Sequence, residues 1–185
     1  ANPYAFLDDA PLEERRARAV SLRRTDPDLA GGLGMLDHKA IDAVRAQAWA
    51  DLRDADELHD FLLSVCLLPI GEAESWRGLA EELVRDGRAG LVSWEIAAEN
   101  SRQEAYAATE RLASIRSLAA DMQVIPDARY RAPDETPTEE DALRVTIQGW
   151  MEVVGPTTAP RLAQRLGLSV AQVERGLYAL EAGGV

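Results

Sequence analysis

The sequence predicts a mainly α-helical fold with a minor β element and with a helix-turn-helix close to residue 185. Apolar residues recur three and four positions apart through most segments, which is the spacing of one buried helix face. Residues that favour the start of a helix precede several of these segments. The short apolar run from Leu91 to Trp94 is the best candidate for a strand. We therefore expect helices to supply most of the core.

The composition is that of a soluble globular chain. Of its 185 residues, 46% are apolar and 28% are charged. No apolar run approaches the roughly 18 residues that a membrane span needs. Cys66 is the single cysteine, which excludes a disulfide framework and favours the cytosol. We therefore expect a cytoplasmic protein without a membrane partner.

The net charge of −12 argues against indiscriminate coating of nucleic acid, because phosphate binding needs a basic surface. The acidic residues are concentrated in segments 51–60, 72–82 and 134–141. The first predicted helix is net basic, and residues 146–185 are close to neutral. A local contact with a polyanion therefore stays compatible with the acidic total.

A glycine-rich turn separates the first two predicted helices. Pro11 opens a helix that should run to about Arg24, because proline fits the first helical turn. Glycines at 31, 32 and 34 then break the chain. Asp37 can cap a second helix. The apolar face of that helix comprises Ile41, Val44 and Ala48.

Two further helices should precede the strand. Asp54 or Asp56 starts the third helix, which carries a broad apolar face. That face comprises Leu58, Phe61, Leu62, Val65 and Cys66. Ser75 can cap the fourth helix, and Gly87 stops it.

Residues 101–119 are expected to form one long helix. Ser101 and Glu104 have the spacing of a capping box. Apolar residues then follow at helical spacing: Ala105, Ala108, Leu112, Ile115 and Ala119. From Ile125 to Pro137 the chain is rich in proline and charge without periodicity, which predicts a linker or a wrapped loop. We therefore divide the chain into a helical domain 1–120, a linker 121–138 and a last domain 139–185.

The last domain should begin with two helices. The first follows Thr138, and its apolar face comprises Leu143, Ile147, Trp150, Met151 and Val154. The second has Pro160 in its first turn, and Thr157 or Thr158 can cap it. Gly167 stands where this helix ends, since glycine readily adopts the left-handed conformation.

A further short helix follows the turn at Gly167. Ser169 and Gln172 can form a capping box, and Leu168 can pack on Val173. The apolar stripe that must be buried comprises Val170, Val173, Leu177 and Leu180. Two short helices joined by such a turn make a helix-turn-helix, and three helices followed by a glycine pair are typical of a winged helix. The chain ends where the wing would begin, so we expect a truncated winged helix from a longer protein.

Burial of that stripe turns five residues outward: Ala171, Gln172, Arg175, Tyr178 and Ala179. Gln and Arg can hydrogen-bond to base edges, and Arg and Tyr can bind phosphates. Contact with DNA is one interpretation of this face. The alternative is a protein contact or packing within the chain, because Glu174 and Glu181 flank the same face.

No active site or metal site is predicted. His59 lies near Asp56 and Asp60, but a zinc site needs three or four ligands. We therefore expect His38 and His59 to be exposed structural residues, and Cys66 to be buried on its helix face. The sequence has neither a nucleophile-elbow motif nor a nucleotide-binding P-loop. No catalytic residue, metal ligand or cofactor is assigned.

The segment from Asn2 to Arg16, Asn-Pro-Tyr-Ala-Phe-Leu-Asp-Asp-Ala-Pro-Leu-Glu-Glu-Arg-Arg, resembles the large helicase-related (Lhr) family of superfamily 2 DExH DNA helicases. Residues 54–60, Asp-Ala-Asp-Glu-Leu-His-Asp, are also similar to that family. A third similarity is the pairing of residues 155–159 with residues 162–168. Between Trp94 and Glu110 the sequence departs from the family pattern.

The resemblance implies a position downstream of the two motor domains, at the end of the DEAD/H-associated domain and in the winged helix that follows it. It implies a bacterial ATP-dependent DNA helicase or translocase with a role in DNA repair. ATP and magnesium would then act in the motor of the parent chain, which would be the hydrolase. The expected partners are DNA and the motor and downstream domains of the same parent.

We therefore expect this region to support the motor and to contact DNA. The residues expected to contact phosphates or bases are Arg15, Arg16, Arg18, Arg161, Arg165, Gln172, Arg175 and Tyr178. The rival hypothesis is a protein-interaction or structural module that couples the motor to downstream domains without contacting DNA.

Overall fold

The computed structural model describes residues 37–96, 101–119, 121–125 and 136–184. The chain divides into two compact units, residues 1–41 and residues 42–185. Of the first unit, residues 37–41 are described, and they include the start of a helix. The helix predicted from Pro11 to Arg24 lies outside the described residues.

The described part of the chain is mainly helical, as predicted. Its α-helices are α1 (His38–Ala48), α2 (Ala55–Val65), α3 (Arg77–Asp86), α4 (Leu112–Leu118), α5 (Glu139–Val153), α6 (Ala159–Leu166) and α7 (Val170–Ala182). The predicted cap of α2 is confirmed, because the Asp54 side chain accepts a hydrogen bond from the Glu57 backbone N–H. Ser75 is not a cap. It lies in a 3₁₀ turn, Glu74–Trp76, and no side chain caps the start of α3.

In the described ranges, four strands form one antiparallel sheet, which is the predicted minor β element. They are β1 (Leu68–Pro69), β2 (Ala89–Ile96), β3 (Ser101–Ala108) and β4 (Gln123–Ile125), in the order β1-β3-β2-β4. The central strands β2 and β3 pair along their whole length, from Ala89 opposite Ala108 to Ile96 opposite Ser101. The strand predicted at Leu91 to Trp94 is confirmed within β2.

The first half of the helix predicted over residues 101–119 is wrong. Residues 101–108 form β3, which pairs with β2 on one side and with β1 on the other. Residues 105–108 are all buried, so the pairing and burial of this central strand outweigh the helix preference of its alanines. The second half is confirmed, because α4 buries Leu112 and Ile115.

The segment predicted as a linker, 121–138, contains a strand. In β4, Val124 lies opposite Val92 of β2 and Gln123 lies opposite Ser93. Residues 123–125 therefore belong to the sheet, and that part of the linker prediction is wrong. Residues 126–135 lie outside the described residues.

Most of the predicted apolar faces are buried. All five predicted residues of the α2 face are at most 8% exposed. The exceptions include Val44 on α1 and Met151 on α5, which are both exposed. Helix periodicity predicts which side of the helix these two residues lie on, but it cannot show whether another element covers them.

Helix α5 joins the helix-turn-helix to the rest of the core. It packs against α2, α4 and α7. At the crossing with α2, a Cβ on Gly149 would lie 2.0 Å from the Ser64 carbonyl oxygen, so the approach requires glycine. Beside it, fully buried Trp150 donates its indole N–H to the Leu67 carbonyl oxygen at 3.2 Å. Described residues before and after the predicted linker, from Leu58 to Leu118 and from Ala142 to Leu180, thus belong to one core. The predicted domain boundaries at 120 and 138 stay predictions.

Within the described ranges, no helix is long and apolar enough to cross a membrane.

Candidate nucleic-acid interface

Helices α5, α6 and α7 form the three-helix unit that the sequence predicts. Gly167 ends α6 in the left-handed conformation, with φ of 63°. Ser169 and Gln172 form the predicted capping box at the start of α7. The turn between α6 and α7 rests on the sheet, because Trp94 donates its indole N–H to the Gly167 carbonyl oxygen at 3.0 Å. Glycine is required at this position for two reasons: its φ is positive, and a Cβ there would lie 2.7 Å from the Gln103 side chain.

The inner face of α7 is narrower than predicted. Val173 and Leu180 are buried, and Leu177 is half-buried. Val170 is 39% exposed, so its predicted burial is wrong. It is the first residue of the helix and lies at the edge of the packed face. Gly176 completes the inner face, since a Cβ there would lie 2.7 Å from Ile147 of α5.

Gln172 is engaged within the chain. Its amide nitrogen donates to the Leu118 carbonyl oxygen at 3.2 Å and to the Glu139 carboxylate at 3.3 Å. Its amide oxygen accepts from the Ser169 backbone N–H at 3.0 Å. A contact with a base edge would therefore have to displace hydrogen bonds that already exist.

Arg175 is also engaged. It binds Glu139 through two parallel hydrogen bonds, of 2.6 Å and 3.2 Å. The guanidinium lowers the pKa of the Glu139 carboxyl, chiefly through the side-chain hydrogen bond. The positive charge that the sequence places on the outer face of α7 is therefore paired with a carboxylate from the start of α5.

Tyr178 is also on this face and is 67% exposed. Together with Leu143, Ala179 and Ala182 it lines a shallow cavity of 330 Å³. An exposed phenol on a helix surface can contact a phosphate or pack against an apolar group, so its position is compatible with both sequence hypotheses.

Arg165 lies against an aromatic cluster formed by Trp49, Phe61, Trp76 and Trp150. Its guanidinium is 5.7 Å from the ring centre of Trp49 and 5.8 Å from that of Trp150. Its Nε also lies 2.9 Å from a carboxylate oxygen of Glu72. Cation–π and ionic contacts therefore fix this arginine in place.

Arg161 differs from the other two arginines on α6 and α7. It is exposed, and it forms no ion pair or hydrogen bond with any residue that the structure describes. It lines a cavity of 250 Å³, which we call the arginine pocket. The lining residues are Arg45, Val154, Thr157, Arg161, Gln164 and Arg165.

The sequence analysis missed Arg45 and Gln164. Arg161, Gln164 and Arg165 are spaced three and four residues apart, so a helical wheel could have grouped Gln164 with the two arginines. For Arg45 the sequence carries no such signal, because it lies on α1 and hydrogen-bonds across 111 residues to the Pro156 carbonyl oxygen. The predicted contacts Arg15, Arg16 and Arg18 lie outside the described residues.

The other titratable residues considered in the sequence are two histidines and the cysteine. His59 is buried, which makes its predicted exposure wrong, and its Nε2 lies 3.4 Å from a carboxylate oxygen of Glu110. Cys66 is buried as predicted, and burial raises the pKa of its thiol. His38 is exposed, as predicted. The described residues contain no group of three or more His, Cys, Asp or Glu that could hold a metal ion.

No family model matches this chain, and no curated protein or solved structure matches it.

Proposed function

We propose that this chain is a non-catalytic part of an ATP-dependent DNA helicase or translocase that supports the motor and contacts DNA without reading its sequence. The support from the sequence is the resemblance of residues 2–16, 54–60 and 155–168 to the large helicase-related family. DNA, the motor domains and the downstream domains of the parent are its partners. DNA repair in the cytoplasm of a bacterium is the setting that follows from the resemblance.

The observation that carries the proposal is the three-helix unit with an arginine-lined edge. In helix-turn-helix proteins the second helix of the motif approaches the major groove while the first crosses the backbone. Here α7 has its Gln172 and Arg175 already bonded within the chain, whereas Arg161 of α6 has no partner among the residues that the structure describes. This distribution favours backbone contacts over base contacts, and thus binding that is independent of sequence.

The test is DNA binding by the whole chain, measured by fluorescence anisotropy with single-stranded and double-stranded oligonucleotides of two unrelated sequences. At about 50 mM salt, where phosphate contacts are weakly screened, we expect binding that is similar for both sequences and that falls steeply as salt is added. Absence of binding to every oligonucleotide at that salt concentration contradicts the proposal.

A protein-interaction or structural module is the second candidate, and it has its own support. The net charge of −12 opposes the approach of DNA, and Val170 and Tyr178 leave apolar surface exposed on α7. Cross-linking of the full-length parent, followed by mass spectrometry, separates the two. Cross-links from α7 to the motor or downstream domains, together with no DNA binding, favour this candidate.

A further inference from the structure

The arginine pocket brings together three guanidinium groups from two distant parts of the chain. Arg45 comes from α1, and Arg161 and Arg165 are four residues apart on α6. The Thr157 hydroxyl and the Gln164 amide are the other polar groups that line it. Guanidinium, hydroxyl and amide groups are the donors that proteins use for phosphate oxygens.

The positive charge of the pocket is only partly compensated. Arg45 pairs with Asp42 at 3.2 Å, and Arg165 pairs with Glu72 at 2.9 Å. Two carboxylates thus face three guanidinium groups, and Arg161 is the one left without a described partner. An anion placed beside Arg161 would complete the pairing.

Two of the three arginines are held rigidly before any ligand binds. The Arg45 Nε donates to the Pro156 carbonyl oxygen at 2.9 Å. Gly155, with φ of 64°, passes so close that a Cβ there would lie 3.1 Å from the Arg45 Cα. Arg165 is fixed by its aromatic neighbours and by Glu72. Donors that are already in position lose little conformational entropy when a ligand binds.

The start of α6 adds to the positive potential. Thr157 directly precedes Thr158, the first flanking residue of α6, and no side chain caps the helix. The N-terminal end of a helix carries partial positive charge, which favours an anion nearby. This partial charge adds to the positive potential of the three guanidinium groups, which remain the main source of positive charge in the pocket.

We propose that the arginine pocket binds one phosphate group of the DNA backbone, with Arg161 as the group that pairs with it. This inference rests on the proposed function and makes it more specific: the backbone contact is made by α1 and α6, and not by the outer face of α7. On α7 the corresponding charge, Arg175, is already neutralised by Glu139.

The test compares R161Q with R144Q in the whole chain. Arg144 is exposed on α5, has no described partner and lines none of the cavities described above, so its replacement makes the same change of charge elsewhere. The first measurement is a titration with inorganic phosphate, followed by amide chemical shifts. We expect saturable shifts centred on residues 157–165 in the unmodified chain and in R144Q, and their loss in R161Q.

The second measurement is the salt dependence of DNA binding. Loss of one phosphate contact should reduce the slope of log K against log salt by about 0.9 in R161Q, and R144Q should change the slope less. Equal effects of the two variants on the slope, with DNA binding retained, overturn the pocket and leave the proposed function standing. Phosphate shifts at residues 157–165 without any DNA binding overturn the proposed function and the DNA source of the phosphate, since the pocket would then take free phosphate.

Discussion

The inner and outer faces of the three-helix unit differ in how their polar side chains are paired. On the inner face, the indole N–H groups of Trp94 and Trp150 and the amide of Gln103 donate to backbone oxygens of other elements. On the outer face, Arg175 meets a carboxylate from the unit itself, and Arg161 meets no described partner. The inner contacts join the unit to the sheet and to the segment that follows α2, whereas the pair of Arg175 and Glu139 stays within the unit.

The difference shows what burial does to a polar group. A buried donor must be paired, because an unpaired one costs its full desolvation, so inner polar groups fix geometry. An exposed charge is solvated whether it is paired or not, so outer ion pairs contribute little to stability. We therefore expect substitutions on the inner face to change the free energy of unfolding and those on the outer face to change binding.

The largest effect is expected for Gly149→Ala. The added Cβ would overlap the Ser64 carbonyl oxygen, and backbone atoms can move apart only by shifting α5 away from α2. We expect the free energy of unfolding to fall by about 3 kcal/mol, the cost of overpacking a rigid contact. Denaturation by urea, followed by circular dichroism, measures it.

Gly78→Ala is the matched control for that variant. Gly78 lies in α3, and a Cβ there would meet nothing within 4 Å. Alanine favours a helix over glycine by up to about 1 kcal/mol, so this variant should be slightly stabilised. If Gly149→Ala were as stable as Gly78→Ala, the close crossing of α2 and α5 would be refuted.

A smaller loss is expected for Trp150→Phe. The variant removes the donor to the Leu67 carbonyl oxygen and leaves a small void at a position that is fully buried. Together these should lower the free energy of unfolding by about 2 kcal/mol.

Trp49→Phe provides the comparison, because Trp49 stacks on Trp76 but forms no indole hydrogen bond in the described part of the chain. It is also only half-buried. In the same urea experiment, Trp49→Phe should lower the free energy of unfolding by less than half as much as Trp150→Phe does. Equal losses would show that the indole N–H of Trp150 does not help to hold α5 in place.

The smallest effect concerns the outer pair of Glu139 and Arg175. Because Arg175 lowers the pKa of Glu139, the pair stabilises the fold above the ordinary pKa of a glutamate, and that stabilisation is lost as the pH falls through the lowered value. The Arg175 side chain is 55% exposed and the Glu139 side chain 41%, so the contribution of the pair to stability should stay below about 1 kcal/mol.

Arg175→Gln tests the predicted direction of this pH dependence. The variant should be slightly less stable than the unmodified chain at pH 7 and equally stable once Glu139 is protonated in both. Carbon-13 NMR of the Glu139 carboxyl should show its pKa rising toward the ordinary value in the variant. A pKa that does not move would mean that the pair does not persist in solution.

The local features of the three-helix unit could be predicted from the sequence, whereas of the sheet only the strand at Leu91 to Trp94 could. The left-handed Gly167 and the Ser169–Gln172 capping box are confirmed, because each depends on residues within four positions. Residues 101–108 carry a capping-box spacing and helical periodicity, yet they form β3. Pairing with β1 and β2, which come from elsewhere in the chain, decides the outcome there.

The candidate site shows the same limit. A helical wheel placed Gln172, Arg175 and Tyr178 on the outer face of α7, but it could not show that Glu139 lies beside Arg175 or that the Leu118 carbonyl lies beside Gln172. Nor could it bring Arg45 to α6. The predicted exposure of His59 and the predicted burial of Val170 and Met151 were wrong for the same reason. A helical wheel shows which side of a helix a residue lies on, but not which other element packs there.

The sequence by itself determined where the helices of the last third of the chain begin and end, and that two of them form a helix-turn-helix. Capping and periodicity act over three or four residues, so they can be recognised without knowing the fold. Only the tertiary structure decided which of the arginines predicted to contact DNA are paired with a carboxylate and which, in the described part of the chain, is not. Arg175 finds its carboxylate 36 residues away, and Arg45 finds its carbonyl 111 residues away. Such pairings depend on how the chain packs, because electrostatic partners are chosen by distance in space.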